Sequence, residues 1–134
     1  MSIFIDANVL CAFHNNVDVH HEKAVRIINE IVSNKHGKPI ITDYIFDETV
    51  SVTLRKSNIV NAIELGNFIL DSEIYIAKID SRIFEIAWSI FNKESNFSFT
   101  DCTTLAFMQA FSIKNIATFD KEFKKVEWLN IIDN

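Results

Sequence analysis

Apolar residues follow two rhythms along this chain. Short runs rich in Ile, Val and Phe occupy residues 2–6 (SIFID), 39–43 (PIITD), 73–79 (EIYIAKI), 115–119 (NIATF) and 129–132 (LNII). Bounded by polar residues, such runs read as strands buried in a sheet. Between them the period lengthens to that of a helix. Ala24, Ile27, Ile28 and Ile31 fall at i, i+3, i+4 and i+7 within residues 19–33, and Phe84, Ala87, Trp88 and Phe91 repeat the spacing. Residues 44–56 and 58–71 predict two more helices, the second apolar on more than one face. Residues 99–113 predict a fifth, with Cys102, Ala106, Ala110 and Ile113 on one side. Strands alternating with helices predict an α/β fold, a three-layer sandwich with a mostly parallel central sheet of about five strands.

With two glycines and one proline the loops must be short, and no linker divides the chain. A length of 134 residues, 49% hydrophobic, therefore reads as one domain spanning 1–134. Charge interrupts every apolar stretch well before the roughly 18 residues needed to cross a bilayer, and no basic segment leads into an apolar one at the N-terminus. The expectation is a soluble, cytoplasmic protein with no membrane partner. Cys11 and Cys102 sit far apart in apolar helical contexts, as buried thiols in a reducing compartment do. The net charge of −5 argues against a protein that coats nucleic acid nonspecifically.

Two of the predicted strands stop at an aspartate: Asp6 after SIFI, and Asp120 after NIATF. In open parallel sheets ligands bind beyond the carboxyl ends of the strands, where the strand order reverses. Two further acids belong near the same edge. Glu48 lies one turn into the helix after the second strand (TDYIFDETVS), and Asp101 opens the fifth helix (FSFTDCTTLA). Four carboxylates meeting there repel, at about 4 kcal/mol per ionised pair for a separation of ~4 Å and an effective dielectric of about 20. Hard divalent cations relieve that repulsion, and Mg²⁺ keeps waters while it does so. Each acid also has a plainer reading. Asp101 can close a capping box with Ser98, Asp6 can cap a short helix starting near Asn8, Asp120 can cap the turn DKEF, and Glu48 can be a solvated helix residue.

Asp6 with Asn8, then Glu48, then SFTD with Asp101, then ATFDKEF with Thr118, Asp120 and Phe123 together resemble the PIN-domain ribonucleases. The small single-domain, VapC-like toxin type is the nearest in flavour, and the resemblance runs in order over essentially the whole chain. It implies a metal-dependent endoribonuclease that hydrolyses RNA phosphodiester bonds. Asp6, Glu48, Asp101 and Asp120 would surround Mg²⁺ or Mn²⁺, supported by Asn8, Ser98 and Thr118, and in-line displacement would leave a 5′-phosphate and a 3′-hydroxyl. It further implies a toxin-antitoxin pair; a homodimer is expected from the chain's surplus of apolar and aromatic residues. Arg55 and Lys56, with Lys121, Lys124 and Lys125, are the candidate RNA backbone contacts. Its negative charge sets the chain apart from more basic toxins of this type.

His14, His20 and His21 are expected on the surface rather than at a metal. Phe97, Phe99, Phe107 and Phe111 are expected mostly in the core, a few of them in a dimer seam. The apolar helices 44–56 and 58–71 are the place for a self-contact or an antitoxin groove. Other readings fit less well. A phosphorelay receiver pairs acids after its first strand, whereas Asp6 has Ile5 and Ala7 beside it; an aspartate-nucleophile phosphohydrolase needs Asp-x-Asp, where Asn8 stands here. No glycine-rich loop supports a nucleotide-phosphate fold. A catalytically idle PIN-like module that binds RNA or protein is the alternative from another class.

Overall fold

The computed structural model describes residues 1–93 and 96–134. Five strands, β1 (Ser2–Ile5), β2 (Lys38–Thr42), β3 (Tyr75–Ala77), β4 (Asn115–Ala117) and β5 (Asn130–Ile132), form one parallel sheet in the order β3-β2-β1-β4-β5. Six α-helices are described: α1 (Ala7–His14), α2 (His21–Val32), α3 (Asp43–Lys56), α4 (Ile59–Asp71), α5 (Ser81–Lys93) and α6 (Phe99–Ala110). A 3-10 turn at Lys121–Lys125 precedes β5. The chain steps outward from β1 to β3, then returns through α5 and α6 to place β4 on the other side of β1. Right-handed crossovers put α1–α4 on one face and α5–α6 on the other, and the pairings α1 with α2, α3 with α4 and α5 with α6 agree. The expected three-layer α/β sandwich is what the structure shows.

Ile3, Phe4 and Ile5 of the central strand are wholly buried, as a strand covered on both faces must be. They anchor one continuous core that takes in Val9 and Leu10 of α1, Ile27 and Ile28 of α2, Leu65 and Ile69 of α4 and Met108 of α6. Gly37 turns the chain into β2 at φ 83°, where the Lys38 amide donates to the Met1 carbonyl at 3.0 Å. A Cβ at Gly37 would strike the Met1 carbonyl, and its positive φ adds strain. Gly37→Ala is expected to destabilise by about 1–3 kcal/mol, measured by urea denaturation; an unchanged midpoint would contradict that packing.

The element limits depart from the sequence reading in instructive ways. The first strand ends at Ile5, and α1 starts at once, with Asp6 as its N-cap. The stretch 73–79 forms ladder only at Tyr75–Ala77, and the Ile79 amide donates instead to Asp43 Oδ1 at 3.0 Å. Residues 99–113 are helical only to Ala110, because Ser112 turns the backbone at φ 56°. In α5 the buried stripe is Ile83 and Ala87, while Phe84, Trp88 and Phe91 lie outward at 43%, 53% and 39% exposure.

Candidate active site

The strand order reverses between β1 and β4, so the carboxyl ends of these neighbours flank a crevice. Asp6 and Thr118 stand there. The Asp6 amide donates to the Ala117 carbonyl at 2.9 Å, which continues the ladder one residue beyond β1. Its side chain is almost fully buried. Oδ1 accepts from the Ala7 amide at 2.8 Å, capping α1, and Oδ2 accepts from the Thr118 hydroxyl at 2.7 Å. Asn8 braces both partners, its Nδ2 donating to Asp6 Oδ2 and to Thr118 Oγ1 at 3.3 Å each. Its Oδ1 accepts from the Phe119 amide at 3.1 Å, while Thr118 Oγ1 also accepts from the Asp120 amide at 3.0 Å. The network thus ties the loop after β4 to the first turn of α1.

Asp101 and Asp120 are held by caps as well. Asp101 Oδ2 accepts from the Ser98 amide at 3.2 Å, and Ser98 Oγ accepts from the Asp101 amide at 3.1 Å, a complete capping box. Asp120 Oδ1 accepts from the Glu122 amide at 2.9 Å. A cap fixes one oxygen of a carboxylate and thereby aims the other. Capping and ligand roles are therefore compatible.

Electrostatics tie the four acids into one cluster. Burial pushes the Asp6 carboxyl up to about 7, against the lowering bond from Thr118, and the charges of Asp101 and then Glu48 push it the same way. Glu48 is raised by burial and by Asp101, Arg55 opposing; Asp101 is raised by burial and, behind its lowering bond to Ser98, by Asp120. Asp101 thus acts on both Asp6 and Glu48, and Asp120 acts on Asp101, so the four acids form a chain of like charges at a half-buried edge, the kind of place where functional groups are found.

Whether the cluster suits a divalent cation depends on donors and spacing. The donors are all carboxylate oxygens, the ligand type of hard cations. Among the described residues no three His, Cys, Asp or Glu side chains are drawn tightly enough to grip an ion directly. Mg²⁺ needs only one or two direct carboxylates and keeps its waters, so the chemistry of the donors, rather than their spacing, is what suits it. The donor set fits the group.

The predicted cations are less uniform. Arg55 and Lys56 are exposed at the end of α3, and Arg55 lowers the pKa of Glu48. Lys121 is exposed beside Asp120, Lys124 pairs with Asp133 at 3.2 Å, and Lys125 pairs with Glu122 at 2.9 Å. The histidines are not free surface residues. His20 stacks on Phe119 at 4.4 Å, His21 Nδ1 meets the Ala12 carbonyl at 2.8 Å, and His14 Nε2 meets Glu64 Oε2 at 3.2 Å. His20 thereby packs on the residue before Asp120, a placement that only tertiary packing reveals. Cys11 is half-buried and Cys102 buried, and burial pushes the Cys11 thiol up. Phe97 and Phe107 are core, whereas Phe111 is exposed.

Thr118→Val removes the one hydroxyl that lowers the Asp6 pKa. It is expected to reduce activity about 10–100-fold and to shift the alkaline rise of the pH–rate profile upward; an unmoved profile would contradict the link.

Comparison with known proteins places this geometry. The sequence profile of the family described as PIN domain matches residues 3–129. A VapC ribonuclease of Archaeoglobus fulgidus is 27% identical over 126 residues, covering 92% of this chain and 80% of the relative. The 23S rRNA-specific endonuclease VapC20 of Mycobacterium tuberculosis is 23% identical over 131 residues, covering 96% and 97%. Its crystal structure, that of a sarcin-ricin loop cleaving toxin, superposes with a TM-score of 0.83 over 92% of this chain and 94% of that one at 22% identity. A toxin-antitoxin complex from Klebsiella pneumoniae superposes with a TM-score of 0.64 at 14% identity, covering 96% and 95%.

Proposed function

Since this chain belongs to the PIN domain family, we propose that it is an endoribonuclease, the toxin of a toxin-antitoxin pair, using Mg²⁺ or Mn²⁺ at Asp6, Glu48, Asp101 and Asp120. The observation that carries this reading is the buried carboxylate of Asp6, held by Thr118 and Asn8 and pushed to about 7 chiefly by burial and then by the charges of Asp101 and Glu48. The relatives described as a VapC ribonuclease and a 23S rRNA-specific endonuclease support RNA as the substrate class. All four acids being present disfavours an idle binding module.

When bound, the divalent ion supplies positive charge to the scissile phosphate and lowers the pKa of an attacking water. Asp6 must be ionised to take part, so Thr118 and Asn8 act by favouring that form and fixing its orientation. Asp101 and Asp120, each with one oxygen engaged in a cap, keep the other for the ion. Glu48 projects from α3 into the same field. Arg55, Lys56 and Lys121 are the exposed cations that would meet the RNA backbone, with Lys124 and Lys125 exchanging their weak surface pairs for phosphate. Incubating mixed RNA with Mg²⁺, with Mn²⁺ and with chelator tests the reading: cleavage confined to the metal arms supports it, and cleavage unaffected by chelator contradicts it.

Two apolar surfaces suit protein partners. Phe46, Val50, Leu54, Ile59, Ile63 and Leu70 line an open groove of about 320 Å³ between α3 and α4. Its apolar lining suits the apolar face of an antitoxin helix. On the other side, Phe84, Trp88 and Phe91 join Phe99 and Tyr44 in an exposed aromatic cluster. We assign that face to a second copy of the chain, because aromatic residues anchor interfaces. Trp88→Glu is expected to convert the dimer to monomer in sedimentation; a wild-type monomer would contradict the assignment.

A further inference from the structure

Helix α3 presents two different surfaces. Phe46, Val50 and Leu54 follow a four-residue step into the apolar groove, whereas Glu48, Val52 and Lys56 follow the same step along another side. Val52 and Lys56 line a polar cavity of about 350 Å³, closed by the end of α1, the loop after it and the start of α4. Its floor is Cys11, whose Sγ lies 3.7 Å from both the Thr49 carbonyl and Thr53 Oγ1. Val52 and Lys56 in its wall follow Glu48 along α3 by about one and two turns, so the cavity lies further along the same helix from the carboxylate crevice.

Lys56 follows Glu48 by eight residues, about 12 Å along a helix at 1.5 Å per residue. Stacked nucleotides advance roughly 3.4 Å each along a strand, so that span is about three or four of them. The lining is suited to a base. Asn16 and Asn61 bring side-chain amides, which both donate and accept, Asp18 and Glu64 bring carboxylates that accept from base amino groups, and Lys56 brings the positive charge a phosphate needs. Unstacked bases of single-stranded RNA are read by just such groups on their edges. The cavity is held in shape from both sides. His14 of α1 meets Glu64 of α4, and Asn61 donates to Ser57 Oγ while its own amide donates to Asn58 Oδ1 at 2.8 Å.

We propose that this cavity is a nucleotide subsite: it takes one unstacked RNA base about three or four positions from the scissile bond, with Asn61 and Asn16 on its edge and Lys56 on its phosphate. The proposal rests on the nuclease reading for the position of the cut and gives that site its sequence preference. An apolar peptide side chain fits the neighbouring groove better than this polar one.

The test uses the whole chain and a fluorescein-labelled, mixed-sequence single-stranded RNA, with binding read by anisotropy in EDTA and cleavage products sequenced in Mn²⁺. Lys56→Ala should reduce the slope of log affinity against log salt by about 0.7. Asn61→Ala should weaken binding about tenfold and relax the base preference at one position near the cut. Asn61→Asp, which keeps the volume, should change that preference instead. Wild-type salt slope, affinity and preference in all three variants would overturn the subsite while leaving the nuclease reading standing. Binding that depends on Asn61 and Lys56 in a wild-type protein that cuts nothing would sustain the subsite and overturn the nuclease. Failure of the wild-type chain to bind RNA overturns both.

Discussion

Replacing Asp6 with asparagine is expected to lower the proposed metal-dependent RNA cleavage by at least roughly 100-fold. The substitution keeps the size of the side chain and keeps Oδ1 for the Ala7 amide, so the cap on α1 survives. What it removes is the charge at Oδ2, where Thr118 donates and Asn8 leans. An amide there offers hydrogens where a cation needs an electron pair. Measured as initial rates in Mg²⁺ on a single RNA, with circular dichroism to show the fold intact, the loss separates chemistry from folding. A variant within a fewfold of wild type would remove Asp6 from the active site.

The second large effect concerns stability, and its sign is the reverse of that of a salt-bridged acid. The Asp6 carboxyl rises from 3.8 to about 7 on folding. Between these values the folded chain keeps a proton that the unfolded chain has released, so stability declines as pH rises through that window. At about 1.4 kcal/mol per unit, the decline from Asp6 alone is about 4 kcal/mol, and the raised Glu48 and Asp101 act in the same direction. The metal-free protein is therefore expected to melt roughly 10 °C or more lower at pH 8 than at pH 5. Mg²⁺ should restore most of that at pH 8 and little at pH 5, since it replaces the proton. Asp6→Asn should flatten the metal-free dependence. Scanning calorimetry in EDTA checks both, and a wild-type melting temperature that rises with pH would contradict the desolvated cluster.

Much of this site was legible because its residues sit where backbone pattern alone puts them. An apolar run ending in Asp6 and another, NIATF, ending directly before Asp120 locate the carboxyl edge without coordinates, and the S-x-x-D spacing locates Asp101. The capping and site readings of these acids compete in the sequence, yet the structure makes the caps while the carboxylates still perturb one another. Helix α1 was harder to see: only eight residues long, it follows Asp6 with no polar break, so strand and helix merge into one apolar stretch. The stripe on α5 misled for another reason. Its apolar residues cover more than one face, and periodicity cannot say which face meets the core; Ile83 and Ala87 do, and the large aromatics do not. The contacts of His14 with Glu64 and of His20 with Phe119 join residues distant in the chain, which no local pattern records.

The claim beneath all of this is that the crowded acids await a cation, and direct titration tests it best. Mn²⁺ added to metal-free protein at pH 8, followed by calorimetry or by its paramagnetic signal, should show saturable binding that Asp6→Asn weakens at least about tenfold. No saturable binding, or equal binding by the variant, would contradict the account.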